Sequence, residues 1–242
     1  AGDTGPCGPC SEIFYDLGAE FGEDGGPADG SEDRFIEVWN LVFMQYANDG
    51  TGELKDLPKT GIDTGAGLER LLAVLQGKSS AWDIDLFAPL LREAEAITGI
   101  AYGQNIESDV SMRIFADHAR ATAMLISDGV FPSNEDRGYV LRRIIRRAVR
   151  HAWVLGVTEV VMPRLVDVVA EVMGGQYPEL HKNISFIRDV VEREEERFRR
   201  TLATGSEILD SALSSMNAGG SLPGEIAFQL HDTFGFPVEV TE

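Results

Sequence analysis

A chain of 242 residues that is 43% hydrophobic and 25% charged has the makings of one large or two ordinary soluble, globular domains. Its formal charge of −19 excludes nucleic-acid binding by bulk electrostatics. No apolar run approaches the roughly 20 residues of a membrane span, and no signal peptide opens the sequence. The charge is unevenly placed: residues 1–33 carry nine Asp/Glu and no Lys or Arg, whereas Arg137–Arg150 contains six arginines. An acidic body with one basic stripe is a pattern for guided docking.

The opening AGDTGPCGPC has no Met and reads as the middle of a domain, so a trimmed longer protein is expected. Cys7 and Cys10 form a CxxC, but the two further ligands of a structural zinc site are missing from the pattern. Pro9 and two glycines favour a rigid, reduced loop without zinc, and a cytoplasmic setting follows by default. Ser11–Asp16 alternates like a strand. Ala19–Asp33 is Gly- and acid-rich and predicts an exposed loop. Arg34–Tyr46, β-branched and aromatic, predicts a central strand. Asn48–Gly52 is a hairpin turn by composition, and the next strand ends at Ile62–Asp63. No crossover helix joins these strands, so the sheet should be antiparallel.

The strand leads into GIDTGAGLERLLAVL, residues 61–75. Leu68, Leu71, Leu72 and Leu75 have helical spacing and predict a stripe packed on a core. Gly65 and Gly67 remove Cβ atoms where another group must come close. Asp63 at the strand end suits an ammonium group, and Arg70 on the first helical turn suits a phosphate. The same pattern also fits a purely structural turn.

From Trp82 onward the period is helical. Helices are predicted at Asp83–Thr98, Ser108–Ser127, Gly138–Leu155, Arg164–Met173, Glu179–Ser214 and Glu225–Phe234. EREEERFRR, residues 192–200, predicts a solvated face with Glu195–Arg199 and Glu196–Arg200 pairs. On Tyr139–Ala152, Arg142, Arg143, Arg146, Arg147 and Arg150 fall within about 140° of arc at the α-helical period. Leu141, Ile144, Ile145, Ala148 and Ala152 face the other way. Such a row is explained by phosphates or by carboxylates elsewhere in this acidic chain. Asn134 lies in a polar loop before that helix. Asp232 lies on the last turn of a short helix, where the dipole disfavours a carboxylate without a partner.

GDTGPCGPCSEIFYD, EVWNLVFMQ, GIDTGAGLER, DGVFPSNEDRGYVLRRIIRRAVRH and HDTFGFP, in order across nearly the whole chain, together resemble the alanyl-tRNA synthetases. The resemblance implies an α+β chain: part of a class II antiparallel aminoacylation sheet (1–80), then a helical acceptor-stem recognition domain (81–242). GAGLER is similar to class II motif 3, with Gly67 and Arg70 at ATP. By the same resemblance Asn40, Val42, Asp63 and Gly65 form the alanine pocket. Asn134 and Asp232 would read a G·U pair in the tRNA(Ala) acceptor stem, with the arginine row on its phosphates and no role toward DNA or membrane. The implied reaction uses ATP and Mg. Motifs 1 and 2 are absent, so adenylation by this chain alone is not expected; an RNA-binding module without chemistry is the alternative. No side chain stands out as a catalytic nucleophile. Glu12 and Glu37 are weak magnesium candidates, and alternation places Glu37 on the face opposite Asn40.

Overall fold

The computed structural model describes residues 4–22, 34–215, 221–233 and 236–237, without the side chains of residues 232 and 233. The acidic loop expected at Ala19–Asp33 therefore lies outside the described residues from position 23 onward. The chain divides into two compact units, Ala1–Asp85 and Leu86–Glu242.

In the first unit a fully antiparallel sheet is built around β3 (Phe35–Asn48), whose run of β-branched and aromatic residues suits a central strand. One edge of β3 pairs with β4 (Leu54–Ala66). The other pairs first with β1 (Gly5–Cys7) and then with β2 (Cys10–Asp16). The CxxC is the joint between those two. The Phe43 amide donates to the Pro9 carbonyl at 2.8 Å, and a Cβ on Gly8 would stand 1.8 Å from the Phe43 carbonyl oxygen. Only glycine lets the joint lie that close. The Asn48–Gly52 turn forms as expected, with Gly50 at φ 84° and its amide bound by the Asn48 side chain at 2.9 Å.

α1 (Leu68–Leu75) follows directly on β4. Its period predicts the helix correctly and its burial wrongly. Leu68 is 60% and Leu75 80% exposed, and the only buried residue of the helix is Ala73. The helix is joined to β3 by the Gly67 amide, which donates to the Val38 carbonyl at 3.2 Å, and no described element covers the outer leucines.

The second unit is helical: α2 (Ala88–Thr98), α3 (Ile106–Ser127), α4 (Asp136–Val154), α5 (Met162–Met173), α6 (Pro178–Ser214) and the short α7 (Gly224–Phe228). A π-helical turn, Gln229–Thr233, closes α7. α2 starts five residues later than its period predicts. Pro89 fits only the first turn, and the Gln76 side chain, donating to the Asp85 carboxylate at 2.8 Å and accepting the Asp85 backbone N–H at 3.1 Å, holds Asp85 outside the helix. Phe115, Leu141, Ile145, Leu165, Ile187 and Leu202 are among the fully buried side chains of the core.

The charged run on α6 is only in part the solvated face its composition predicts: Glu192, Arg193, Glu196, Arg197 and Arg200 are exposed. Glu195 is fully buried and Glu194 6% exposed. The Glu195–Arg199 pair does form, at 2.9 Å, but inside the protein, where Glu195 accepts the backbone N–H groups of Val161 and Met162 at the start of α5. Further along α6, Gly205 makes room for Phe236: a Cβ there would lie 2.0 Å from the ring.

Candidate functional site

The first cluster lies on the sheet. Asn40 pairs across to Gly65, and Val42 to Asp63. Directly opposed residues share a face, as do residues two apart on one strand. The four residues expected to contact alanine thus form two adjacent rungs on one side of the sheet. On the other edge of β3, Glu12 opposes Asn40 and Cys10 opposes Val42, so they share that face. Asn40 Nδ2 donates to Cys10 Sγ at 3.0 Å and to Glu12 Oε1 at 3.3 Å, leaving its Oδ1 for another partner. A Cβ at Gly65 would meet nothing within 4 Å. Glycine there leaves open room above the sheet and relieves no clash with the protein itself. Among the described residues no hydrogen bond or ion pair holds the Asp63 carboxylate.

Glu37 departs from simple alternation. Phe14 pairs with Glu37 while Ile13 pairs with Trp39, so Val38 is an extra residue, a β-bulge. The bulge shifts the alternation by one step and brings Glu37 to the side of Phe14 and Glu12, hence to the face of Asn40. Arg70 reaches the same strand. Its Nη1 donates to the Glu37 carbonyl at 2.9 Å and lies 3.6 Å from the Glu37 carboxylate. A Cβ on Gly67 would come within 3.2 Å of the Arg70 side chain. Phe14, Phe35, Glu37, Arg70, Ser79 and Ser80 help line a cavity of ≈ 410 Å³. No group of three or more His, Cys, Asp or Glu among the described residues is arranged to hold a metal ion.

The second cluster surrounds α4. Its arginine row is divided by α6. Arg146 Nε donates to Glu194 Oε1 at 2.8 Å and stacks over Phe198, and Arg142 Nε is 3.1 Å from the same carboxylate oxygen. Arg142 also donates to Asn134 Oδ1 and, at 3.5 Å, to the Pro132 carbonyl. Arg143, over the ring of Tyr139, and Arg147 are exposed. Together with Arg146, Arg150, His118 and Phe198 they line a cavity of ≈ 490 Å³. Asn134 lines a wider one of ≈ 990 Å³ with Phe131, Ser133, Asp136 and Arg137. The loop folds back over the start of α4, where a Cβ on Gly138 would meet Ser133 Oγ at 2.2 Å.

His151 is the inward neighbour of the row. Burial, then the charges of Arg150 and Arg147, push it down to about 4. Its Nδ1 is 3.0 Å from Ser111 Oγ. The turn bearing Asp232 is described but that side chain is not, so its distance from Asn134 lies outside the described residues. Glu194 escapes a reading by composition, although its position on the α6 stripe, three residues after Val191 and four before Phe198, marks it as core-facing. No helix among the described residues is long and apolar enough to cross a membrane.

A family model described as tRNA synthetases class II (A) matches residues 1–242. The chain is 54% identical to an alanine–tRNA ligase of Acidithiobacillus ferridurans over 243 residues, 99% of this chain and 28% of that protein. It is 49% identical to the Fusobacterium nucleatum enzyme of the same name (100% and 28%) and 52% to that of Caulobacter vibrioides (100% and 27%). It thus spans little more than a quarter of the length of the curated relatives it matches. With that match over its whole length, the chain belongs to the class II (A) tRNA synthetases.

Proposed function

We propose that this chain is part of an alanine–tRNA ligase of the cytoplasm, which activates alanine with ATP and transfers it to tRNA(Ala). On this reading residues 1–80 are the C-terminal part of the aminoacylation domain, and residues 81–242 recognise the acceptor stem. The observation that carries it is the pairing of Asn40 with Gly65 and Val42 with Asp63. It gathers on one face a carboxamide, a side-chain-free position and a carboxylate that no described residue pairs with. Asp63 holds the ammonium of alanine, Asn40 supplies its free Oδ1, and Gly65 leaves the face open for the methyl group.

Arg70 supports a nucleotide beside this face. Its guanidinium is half exposed, it sits on the first turn of α1, where the helix dipole favours anions, and Gly67 leaves it room. Gly67 and Arg70 would hold ATP phosphate. Mg²⁺ needs only one or two carboxylates beside the phosphates, and the bulge at Val38 gives Glu12 and Glu37 a common face. The metal would neutralise phosphate charge. The chain's own contribution is to position substrates and place fixed charge. Alone it does not form alanyl-adenylate, for want of the α-phosphate arginine of motif 2; alanine-dependent pyrophosphate exchange by this chain would refute that.

For the RNA, Arg143, Arg147 and Arg150 grip phosphates, which position without reading sequence. Asn134 and Asp232 read the G·U pair from the shallow minor groove, where guanine N2 is a donor. In the full-length ligase carrying this sequence, Asn134→Ala and Asp232→Ala should each lower kcat/KM for a G·U acceptor stem about ten- to hundred-fold, roughly 1–3 kcal/mol. On a G·C stem the effect should be much smaller, and the two losses non-additive. Equal losses on both stems, or no charging by the unaltered ligase, would overturn the reading.

A further inference from the structure

We propose that Glu194 is a positioning residue for Asn134, acting through Arg142. The inference rests on the reading of Asn134 as a contact to the G·U pair. Glu194 stands on the core-facing stripe of α6 and is 6% exposed. A carboxylate in that place is costly unless paired. Its Oε1 binds Arg146 Nε at 2.8 Å and lies 3.1 Å from Arg142 Nε. With its side chain 13% exposed, Arg142 is ion-paired on one side with Glu194. On the other it donates from Nη1 to Asn134 Oδ1 and from Nη2 to the Pro132 carbonyl. The guanidinium is thus ion-paired with the carboxylate and hydrogen-bonded to the loop at once.

This chain of contacts decides which end of Asn134 faces the RNA. A guanidinium only donates, so it selects the carboxamide oxygen and turns Nδ2 outward. Asn134 therefore offers a donor, suited to a minor-groove acceptor such as a pyrimidine O2, whereas the Asp232 carboxylate can only accept. Without Glu194 the guanidinium loses its buried anchor. The exposed Asn134 is then free to flip or swing, and specificity falls before affinity does.

The test is kcat/KM of the full-length ligase for RNA hairpins copying the tRNA(Ala) acceptor stem with its G·U pair or with G·C. Glu194→Gln should lower charging of the G·U hairpin about tenfold and leave that of the G·C hairpin within about twofold. In an Asn134→Ala background the same substitution should change neither. Arg142→Lys keeps the charge beside Glu194 but not the fork, and should reproduce the loss. If Glu194→Gln gives no cooperative thermal transition, Arg142→Lys decides. Equal losses on both hairpins that persist without Asn134, or a full G·U preference in Arg142→Lys, would overturn the proposal. If Asn134→Ala removes the preference while neither Glu194→Gln nor Arg142→Lys touches it, only this inference falls. If Asn134→Ala leaves the preference intact, the reading of Asn134 falls with it.

Discussion

Glu195 on α6 accepts the backbone N–H of Met162 at 2.7 Å, so a side chain of the longest helix closes the first turn of its neighbour. It also accepts from Val161 and from Arg199 Nε at 2.9 Å. Burial pushes its carboxyl above the usual range, against the pull of those donors. The N-terminal amides of α5 have no side-chain cap of their own, and Glu195 supplies it from outside. Glu195→Ala strands those amides and leaves Arg199 buried without its partner. It should cost about 3–5 kcal/mol in urea unfolding. Glu195→Gln, which still accepts N–H groups, should cost less. Equal midpoints for all three proteins would show that the cap carries no stability.

On the sheet, Asp63→Ala in the full-length ligase should raise KM for alanine and lower kcat. A substrate ammonium left without its counter-charge costs about 2–5 kcal/mol. KM for ATP should change far less. Unaltered alanine kinetics would remove Asp63 from the pocket.

The divided arginine row gives opposite expectations for its two halves. Arg143→Ala and Arg147→Ala should weaken RNA binding whatever the stem sequence. Each should also flatten the salt dependence by up to about one unit for every phosphate no longer gripped. Arg146→Ala, which breaks the bond to a buried carboxylate, should instead lower the thermal midpoint. A stability loss without change in salt slope for Arg147 would make it a structural cation as well.

His151 predicts a pH signature. Its folded pKa is depressed to about 4 from an ordinary 6.5, so the unfolded chain takes up its proton first as pH falls. Its contribution to stability is complete above pH 6.5 and is lost between 6.5 and 4. Thermal midpoints over that range should fall in the natural protein and fall less in His151→Asn. Parallel curves would assign the acid sensitivity to other groups.

How much of this was legible beforehand depends on what each pattern encodes. β3 and the α4 row follow from uninterrupted period, and the Asn40/Val42 and Asp63/Gly65 spacing already put each pair on one face. The side of Glu37 was not legible, because nothing in EVWNLV announces that Val38 is extra. Leu68 and Leu75 show that a stripe gives a helix its orientation and says nothing of whether another element covers it. Glu194 is the instructive miss. Its spacing from Ile187, Val191 and Phe198 placed it inward, but the surrounding charges outweighed position.

The docking of Phe236 against Gly205 has a consequence for measurement. Leu230 and Phe236 are both fully buried, and the Phe236 amide bonds back to the Leu230 carbonyl at 2.9 Å. The turn carrying Asp232 is therefore clipped at both ends, and Phe236 seats that clip on α6. Asn134 is tied to the same helix through Arg142 and Glu194. Glu194 and Gly205 are eleven residues apart, about 17 Å along the axis at the α-helical rise. α6 thus serves as a gauge against which both proposed readers of one base pair are set. A bend or slip of α6 between these two marks would alter the distance between the readers without touching either.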